Sequence, residues 1–344
     1  SLGCDRDARP WVASLEGGPM NEPNDLFRCV AILAALGLGA CEEEEPPEAA
    51  SAEGAEDLAE VEPVEPEEPA EPEGPSRVDV ADVGFETPES VLYDEEADRY
   101  LVSNVNGSPT DEDDDGFISQ VSSDGEVTEL KWIDGAEGEF TLNAPKGMAI
   151  VDDSLYVSDL NAVRVFDRES GEHQKDIAIE GSQFLNDVAA DSDGVVYVSD
   201  TGVKPDFSPA PGKAAVYRID DEGKAEKFAE GEDIGQPNGL VFDDGLWVAD
   251  FDSSNVRKLD DDGSVTESWE APEGGLDGLV VTSDGAMIVS SWEGKALYVR
   301  QDDEVDEVQG NLDSPADIGL DTERDLLLIP LFNDDKIVIL PRAE

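Results

Sequence analysis

One phrase recurs six times along this 344-residue chain, a polar residue, a small residue and then an apolar run. The copies are Glu89-Ser-Val-Leu-Tyr-Asp94, Lys146-Gly-Met-Ala-Ile-Val151, Asn186-Asp-Val-Ala-Ala-Asp191, Asn238-Gly-Leu-Val-Phe-Asp243, Asp277-Gly-Leu-Val-Val-Thr282 and Ala316-Asp-Ile-Gly-Leu-Asp321. Each copy except that beginning at Glu89 starts 39 to 57 residues after the one before. Repeats of this length are the mark of solenoids and propellers, so the repeat sets the fold before any single residue does. An acidic turn such as Asp191-Ser-Asp-Gly194 follows each copy and favours a hairpin. A second apolar strand comes next, for example Leu155-Tyr-Val-Ser158 or Leu246-Trp-Val-Ala249, and then a third that alternates in polarity, as in Ala162-Val-Arg-Val-Phe166. Short strands at this spacing with no helical period predict an all-β, six-bladed β-propeller over residues 78–344. The last copy supplies only three strands. Its outer strand is expected from Arg77–Val83, so that the two ends of the domain pair and close the ring, leaving no exposed edge.

Charge narrows the functions open to such a ring. The 85 Asp and Glu against 22 Lys and Arg give a formal net charge of -63, which argues against nucleic-acid partners and against docking on anionic lipid through a basic patch. The domain itself is acidic enough to suggest adaptation to high salt, or else a cation-rich surface. His173 is the single histidine, which excludes His-pair catalysis and zinc held by several His. The three cysteines lie at 4, 29 and 41, so the propeller carries neither disulfide nor thiol nucleophile.

Upstream the composition changes twice. Met20 to Arg28 leads into the apolar stretch Cys29–Ala40, too short to span a bilayer but of signal-peptide length. Its end, Leu38-Gly39-Ala40-Cys41, resembles the lipobox of bacterial lipoproteins, which implies lipidation at Cys41, a signal over 20–41 and an unneeded upstream segment over 1–19. Residues 42–77 hold fifteen acidic residues and seven Pro, the composition of a disordered spacer. The expectation is a lipid-anchored, monomeric domain of a bacterial cell envelope, periplasmic or at the cell surface, with no membrane contact except through the anchor.

Antiparallel strands place the opening residue of every repeat at one mouth of the central channel. These residues are Glu89, Lys146, Asn186, Asn238, Asp277 and Ala316, with Asp187 and Asp317 one position further in. Pro88-Glu89, Leu185-Asn186-Asp187-Val188, Pro237-Asn238-Gly239-Leu240 and Leu276-Asp277-Gly278-Leu279 resemble the ligand phrases of the SMP-30/gluconolactonase family, six-bladed calcium-dependent lactonases. The resemblance covers roughly 78–344. It implies one Ca²⁺ held by Glu89, Asn186, Asn238 and Asp277, with Asp277 beside the reacting water. Independently of any family, Ca²⁺ takes six to eight oxygens, and two carboxylates with two amide carbonyls from four blades leave room for water and substrate. Asp277, Asp187 or Asp317 is placed to take a proton from that water. The same residue types also hold turns through their own backbone, so a purely local role stands beside the metal role.

Lys146 departs from an all-oxygen ring. It is expected to pair with Glu89 or Asp317, or to meet a substrate carboxylate or oxyanion. Asn104 and the long connections 103–116 and 200–212 lie on the same face and are candidates for the substrate wall. Trp292 is placed either to stack on a flat or sugar-like ligand or to pack its blade. Asp111, Asp113, Asp115 and Gly116 open like a calcium loop but close on Ser122 instead of Glu. His173 sits in a hairpin away from the mouth. Two functions fit these features: a Ca²⁺-dependent hydrolase of a small lactone or ester, and a non-enzymatic anchored propeller that binds a ligand or protein partner.

Overall fold

The hairpins set by the acidic turns build six four-stranded antiparallel sheets, seen in a computed structural model that describes residues 76–342. The expected signal, Cys41 and most of the spacer lie outside the described residues. The innermost strands of the six blades are Pro88–Asp94, Pro145–Val151, Leu185–Ala190, Pro237–Phe242, Leu276–Val281 and Gly319–Asp321. Three further strands follow in each of the first five blades.

The sixth blade is closed as the sequence predicts. Val78–Val80 pairs antiparallel with Lys336–Pro341, setting Val78 against Ile339 and Val80 against Ile337. This strand is shorter than the expected Arg77–Val83. Asp82 turns to a φ of 57°, a left-handed conformation that ends extended pairing.

Apolar alternation along the strands produces six buried clusters, one between each neighbouring pair of blades. The cluster that seals the ring joins Val80, Leu328 and Ile339 of blade six to Val91, Tyr100 and Val102 of blade one. Tyr100 also donates its phenol to Asp321 across that seam at 2.7 Å.

A second repeat, less visible in the sequence, holds the innermost strands in place. The residue ending the second strand is Asn104, Asp159, Asp200 or Asp250 in the first four blades. Each turns its side-chain oxygen back onto backbone N–H groups of the segment leading into the innermost strand. Asp159 accepts from Asn143 and Ala144 at 3.1 and 2.9 Å, Asp200 from Gln183 and Phe184 at 2.9 and 3.0 Å, and Asp250 from Gln236 at 2.9 Å. A carboxylate on two amides is a charge-assisted clamp, stronger than a neutral bond, and it fixes the angle at which the chain enters the channel.

Candidate active site at one mouth of the channel

In the first five blades the pairing of the innermost strand slips where the repeat phrase opens. Such a bulge leaves backbone groups unpaired and re-aims the side chain. Hydroxyls of the second strand take up the freed N–H groups: Ser103 accepts from Ser90 at 3.0 Å, Ser199 from Asp187 at 2.9 Å and Ser290 from Gly278 at 2.9 Å. The bulges turn Glu89, Lys146, Asn186, Asn238 and Asp277 into one cavity of about 470 Å³. All five are buried. The four residues proposed as cation ligands therefore share one space, as the repeat predicts, and Ala316 adds no polar group.

The hydrogen bonds orient this floor. Asn186 and Asn238 turn their amide nitrogens into the protein, donating to Thr201 Oγ1 at 3.3 Å and to the Leu276 carbonyl at 3.4 Å. The Trp292 indole donates to one Asp277 oxygen at 2.7 Å. What remains is a set of acceptors. Glu89 Oε2, Asn238 Oδ1 and Asp277 Oδ1 are buried without a hydrogen-bond partner. Unpaired buried acceptors are costly, and three from three blades facing one cavity form a donor set suited to a hard cation. Among the described residues no three His, Cys, Asp or Glu side chains are grouped to hold a metal, so any site here needs the two amides as well as the two carboxylates.

Burial makes the floor hold protons, even with the Lys146 ammonium opposing it at Glu89. Burial, then the charge of Asp317, pushes Asp277 up to about 8. Burial and the neighbouring Asp277 raise Glu89 well above the carboxylate range. A bound cation inverts this balance by favouring the ionised forms. The sign for stability follows. Asp277 stays protonated in the fold up to about pH 8 but ionises near the ordinary carboxylate value in the unfolded chain. Its contribution to stability is therefore complete at acid pH and is lost as pH rises through about 8. In chelator, urea midpoints are expected to fall between pH 5 and 8, with a shallower slope in Asp277→Asn. Added Ca²⁺ should stabilise more at pH 8 than at pH 5. A Ca²⁺ effect that is flat with pH would rule out competition with protons at this ring.

Lys146 lies on the same floor, about 1% exposed. Neither expected partner reaches it: among the described residues it forms no ion pair. Its ammonium instead donates to the Ala144 carbonyl at 2.9 Å and sits 4.5 Å above the Phe184 ring. Burial lowers it to about 8, opposed by the Glu89 charge.

Asp187 and Asp317 are buried as well, but they line the space further along the channel and not the mouth cavity. Asp187 accepts the amides of Val188 and Leu240, both at 2.6 Å, tying blade three to blade four. Asp317 accepts the Ser90 hydroxyl at 2.5 Å, and its amide donates to the Glu89 carbonyl at 2.9 Å, tying blade six to blade one.

Asn104, expected on the substrate wall, does not line the cavity. It is fully buried as the blade-one clamp, accepting from the Glu86 amide at 3.1 Å and donating to Val102 and Ser119. Trp292 does line the cavity, its indole tied to Asp277 and its ring 5.6 Å from Phe332. His173 opens the outer strand of blade two and stacks on Phe140, away from the mouth. In the acidic run, Asp114 caps the Leu142 amide at 2.7 Å and Asn106 holds the Asp115 carbonyl, so part of that loop serves its own folding.

The upper wall is formed by Phe184, Phe207, Phe251, Phe332, Val203 and Pro109. The connections 103–116 and 200–212 supply Pro109, Val203 and Phe207, as the sequence suggests, whereas Phe184, Phe251 and Phe332 have no counterpart in that expectation. A positional signal existed. The residue directly after the second strand is Thr201, Phe251, Trp292 and Phe332 in blades three to six, and all four face the cavity.

A six-bladed propeller with an acid and amide ring at one mouth defines a class, and sequence comparison places the chain within it. Residues 88–319 match the profile of the SMP-30/gluconolactonase/LRE-like region, and the chain belongs to that family. No curated protein sequence matches it significantly. Similar solved structures include a gluconolactonase from Xanthomonas campestris, 19% identical with a TM-score of 0.60, covering 78% of this chain and 89% of its own. A virginiamycin B lyase from Staphylococcus aureus is 13% identical with a TM-score of 0.57, covering 78% and 99%. A luciferin-regenerating enzyme is 15% identical with a TM-score of 0.58, covering 78% and 95%. At these identities the likeness is one of fold.

Proposed function

We propose that the protein is a metal-dependent hydrolase of a lactone or ester. The observation that carries this reading is the convergence of three unpartnered buried oxygens, on Glu89, Asn238 and Asp277, in one cavity of a chain from a lactonase-like family. Glu89, Asn186, Asn238 and Asp277 would hold the ion, with Ca²⁺ favoured by an all-oxygen set. When bound, such an ion polarises the ester carbonyl and acidifies nearby water.

The chain's own residues do the rest. Trp292 anchors one oxygen of Asp277 and leaves the other facing the cavity, where it takes the proton of the attacking water. Lys146 keeps its charge below about pH 8 and offers N–H donors to the oxygen on which negative charge develops. Asp317, behind the floor, acts through Asp277 by raising its proton affinity. Its place outside the cavity makes it a positioning residue in this scheme. We place the domain outside the cytoplasm on a lipid anchor at Cys41, a reading supported by the Leu38-Gly39-Ala40-Cys41 phrase and the acidic spacer.

Lactone hydrolysis by the purified chain in high salt is expected to stop in chelator and return with added Ca²⁺. Turnover unaffected by chelator would remove the metal from the mechanism. No turnover on any lactone or ester by a folded, Ca²⁺-loaded protein would leave the non-enzymatic binding reading in its place.

A further inference from the structure

The walls of the cavity specify more than its floor does. Every polar side chain facing this space belongs to the floor or is already engaged. Thr201 donates to the Pro237 carbonyl at 3.0 Å and accepts from Asn186, and the Trp292 indole is held by Asp277. Above them the surface is carbon. Phe184 and Phe207 stand edge to face at 6.1 Å on one side, Trp292 and Phe332 at 5.6 Å on another, and Phe251 lies between these blades in sequence.

Phe207 is the most informative of these. It is 53% exposed, an uncommon state for such a ring, and its φ of 59° lies in the left-handed region that disfavours non-glycine residues. The loop around it is nevertheless well tied. Val203 bridges Pro209, the Lys204 amide donates to the Ser208 carbonyl at 2.9 Å, and the Phe207 amide to the Lys204 carbonyl at 2.7 Å. A tight hairpin thus holds a strained, half-solvated aromatic at the rim of the cavity, which is how a ligand contact is built and not how a core is packed.

We infer that the site takes a lactone or ester carrying a flat, apolar, preferably aromatic group, and that it discriminates against polyhydroxylated sugar lactones. The carbonyl end of such a ligand reaches the polar floor while its ring lies between the two aromatic pairs. A sugar lactone would set its hydroxyls against rings that offer no hydrogen bond. Each hydroxyl so stripped of water weakens binding by about tenfold or more. This inference rests on the hydrolase reading for the choice of carbonyl compound, and on the wall alone for the choice of substituent.

The test compares kcat/KM for dihydrocoumarin and glucono-1,5-lactone with the Ca²⁺-loaded full chain. A preference of about 50-fold or more for the aromatic lactone is expected from burying one ring. Phe207→Ser and Phe332→Ser should each cut that preference by about tenfold. Equal rates, or a preference for the sugar lactone, overturn the inference. If neither lactone is hydrolysed, that result counts against the hydrolase reading and not against the wall, and calorimetric binding of the two corresponding lactams decides the substituent. Saturable binding of the aromatic lactam alone sustains the inference, and any other binding pattern ends it.

Discussion

Asp277→Asn should abolish lactone hydrolysis, by on the order of 10³-fold or more, while leaving the propeller folded. The substitution keeps the size of the side chain and an oxygen for the Trp292 indole to donate to, so the floor need not rearrange. It removes the negative charge and the proton acceptor together. The metal-free variant should be no less stable than the parent, and more stable at pH 8. It no longer carries a buried carboxylate that must either ionise among other acids or retain a proton up to about 8. Loss of activity with undiminished stability is the signature of a group held for chemistry. Asn238→Ala separates the two roles of the ring, since it deletes an unpartnered oxygen but no base. Its activity should recover at high Ca²⁺, whereas that of Asp277→Asn should not. More than a tenth of parental turnover in Asp277→Asn would assign the base elsewhere.

Gly239→Ala should be the most damaging small substitution in the domain, costing about 3 kcal/mol or preventing folding. A Cβ at this position would lie 1.9 Å from the Asp277 carbonyl oxygen, a backbone atom of the next blade. Relief requires the innermost strand of blade five to move, and that strand carries Asp277 itself. The same close approach recurs around the channel, at Gly278 against the Ile318 amide (2.1 Å) and at Gly319 against the Val91 carbonyl (2.0 Å). Gly212→Ala is the control. It has a positive φ but nothing within 4 Å, so only backbone strain of about 1 kcal/mol is expected. Urea unfolding of the two variants separates crowding from strain, and a Gly239→Ala midpoint near the parental one would show that the innermost strands are not packed this closely.

These glycines show what the sequence discloses and what it hides. The blades were legible because strand period and turn chemistry act locally, and the ring residues because six copies of one phrase must occupy equivalent places. The second residue of that phrase reads as merely small, although at Gly239 and Gly278 it is the point where neighbouring strands touch. The bulges that aim Glu89 and Asn186 inward leave no mark in the sequence, because a one-residue slip in pairing depends on the partner strand. Asn104 illustrates a legible signal read for the wrong purpose. It falls where Asp159 and Asp200 fall, after Val-Ser in all three blades, and that shared place marks the clamp. The aromatic wall was legible only in part: the 200–212 connection and Trp292 were candidates for it, but not which ring of that connection faces the cavity. Phe207 comes from a loop whose path no periodicity governs, and loop geometry is set by contacts that form only once the blades are assembled.

The seam at Val78–Val80 has a consequence in time. The first strand of the domain pairs only with the last, Lys336–Pro341, so blade six does not exist until synthesis has passed residue 336. Such long-range closure is a slow step, because loop entropy is lost before any contact compensates it. The cavity draws side chains from all six blades. A growing or truncated chain can stack its early blades while its ring stays open, and the groups that make up the site meet only when the last strand is laid against the first.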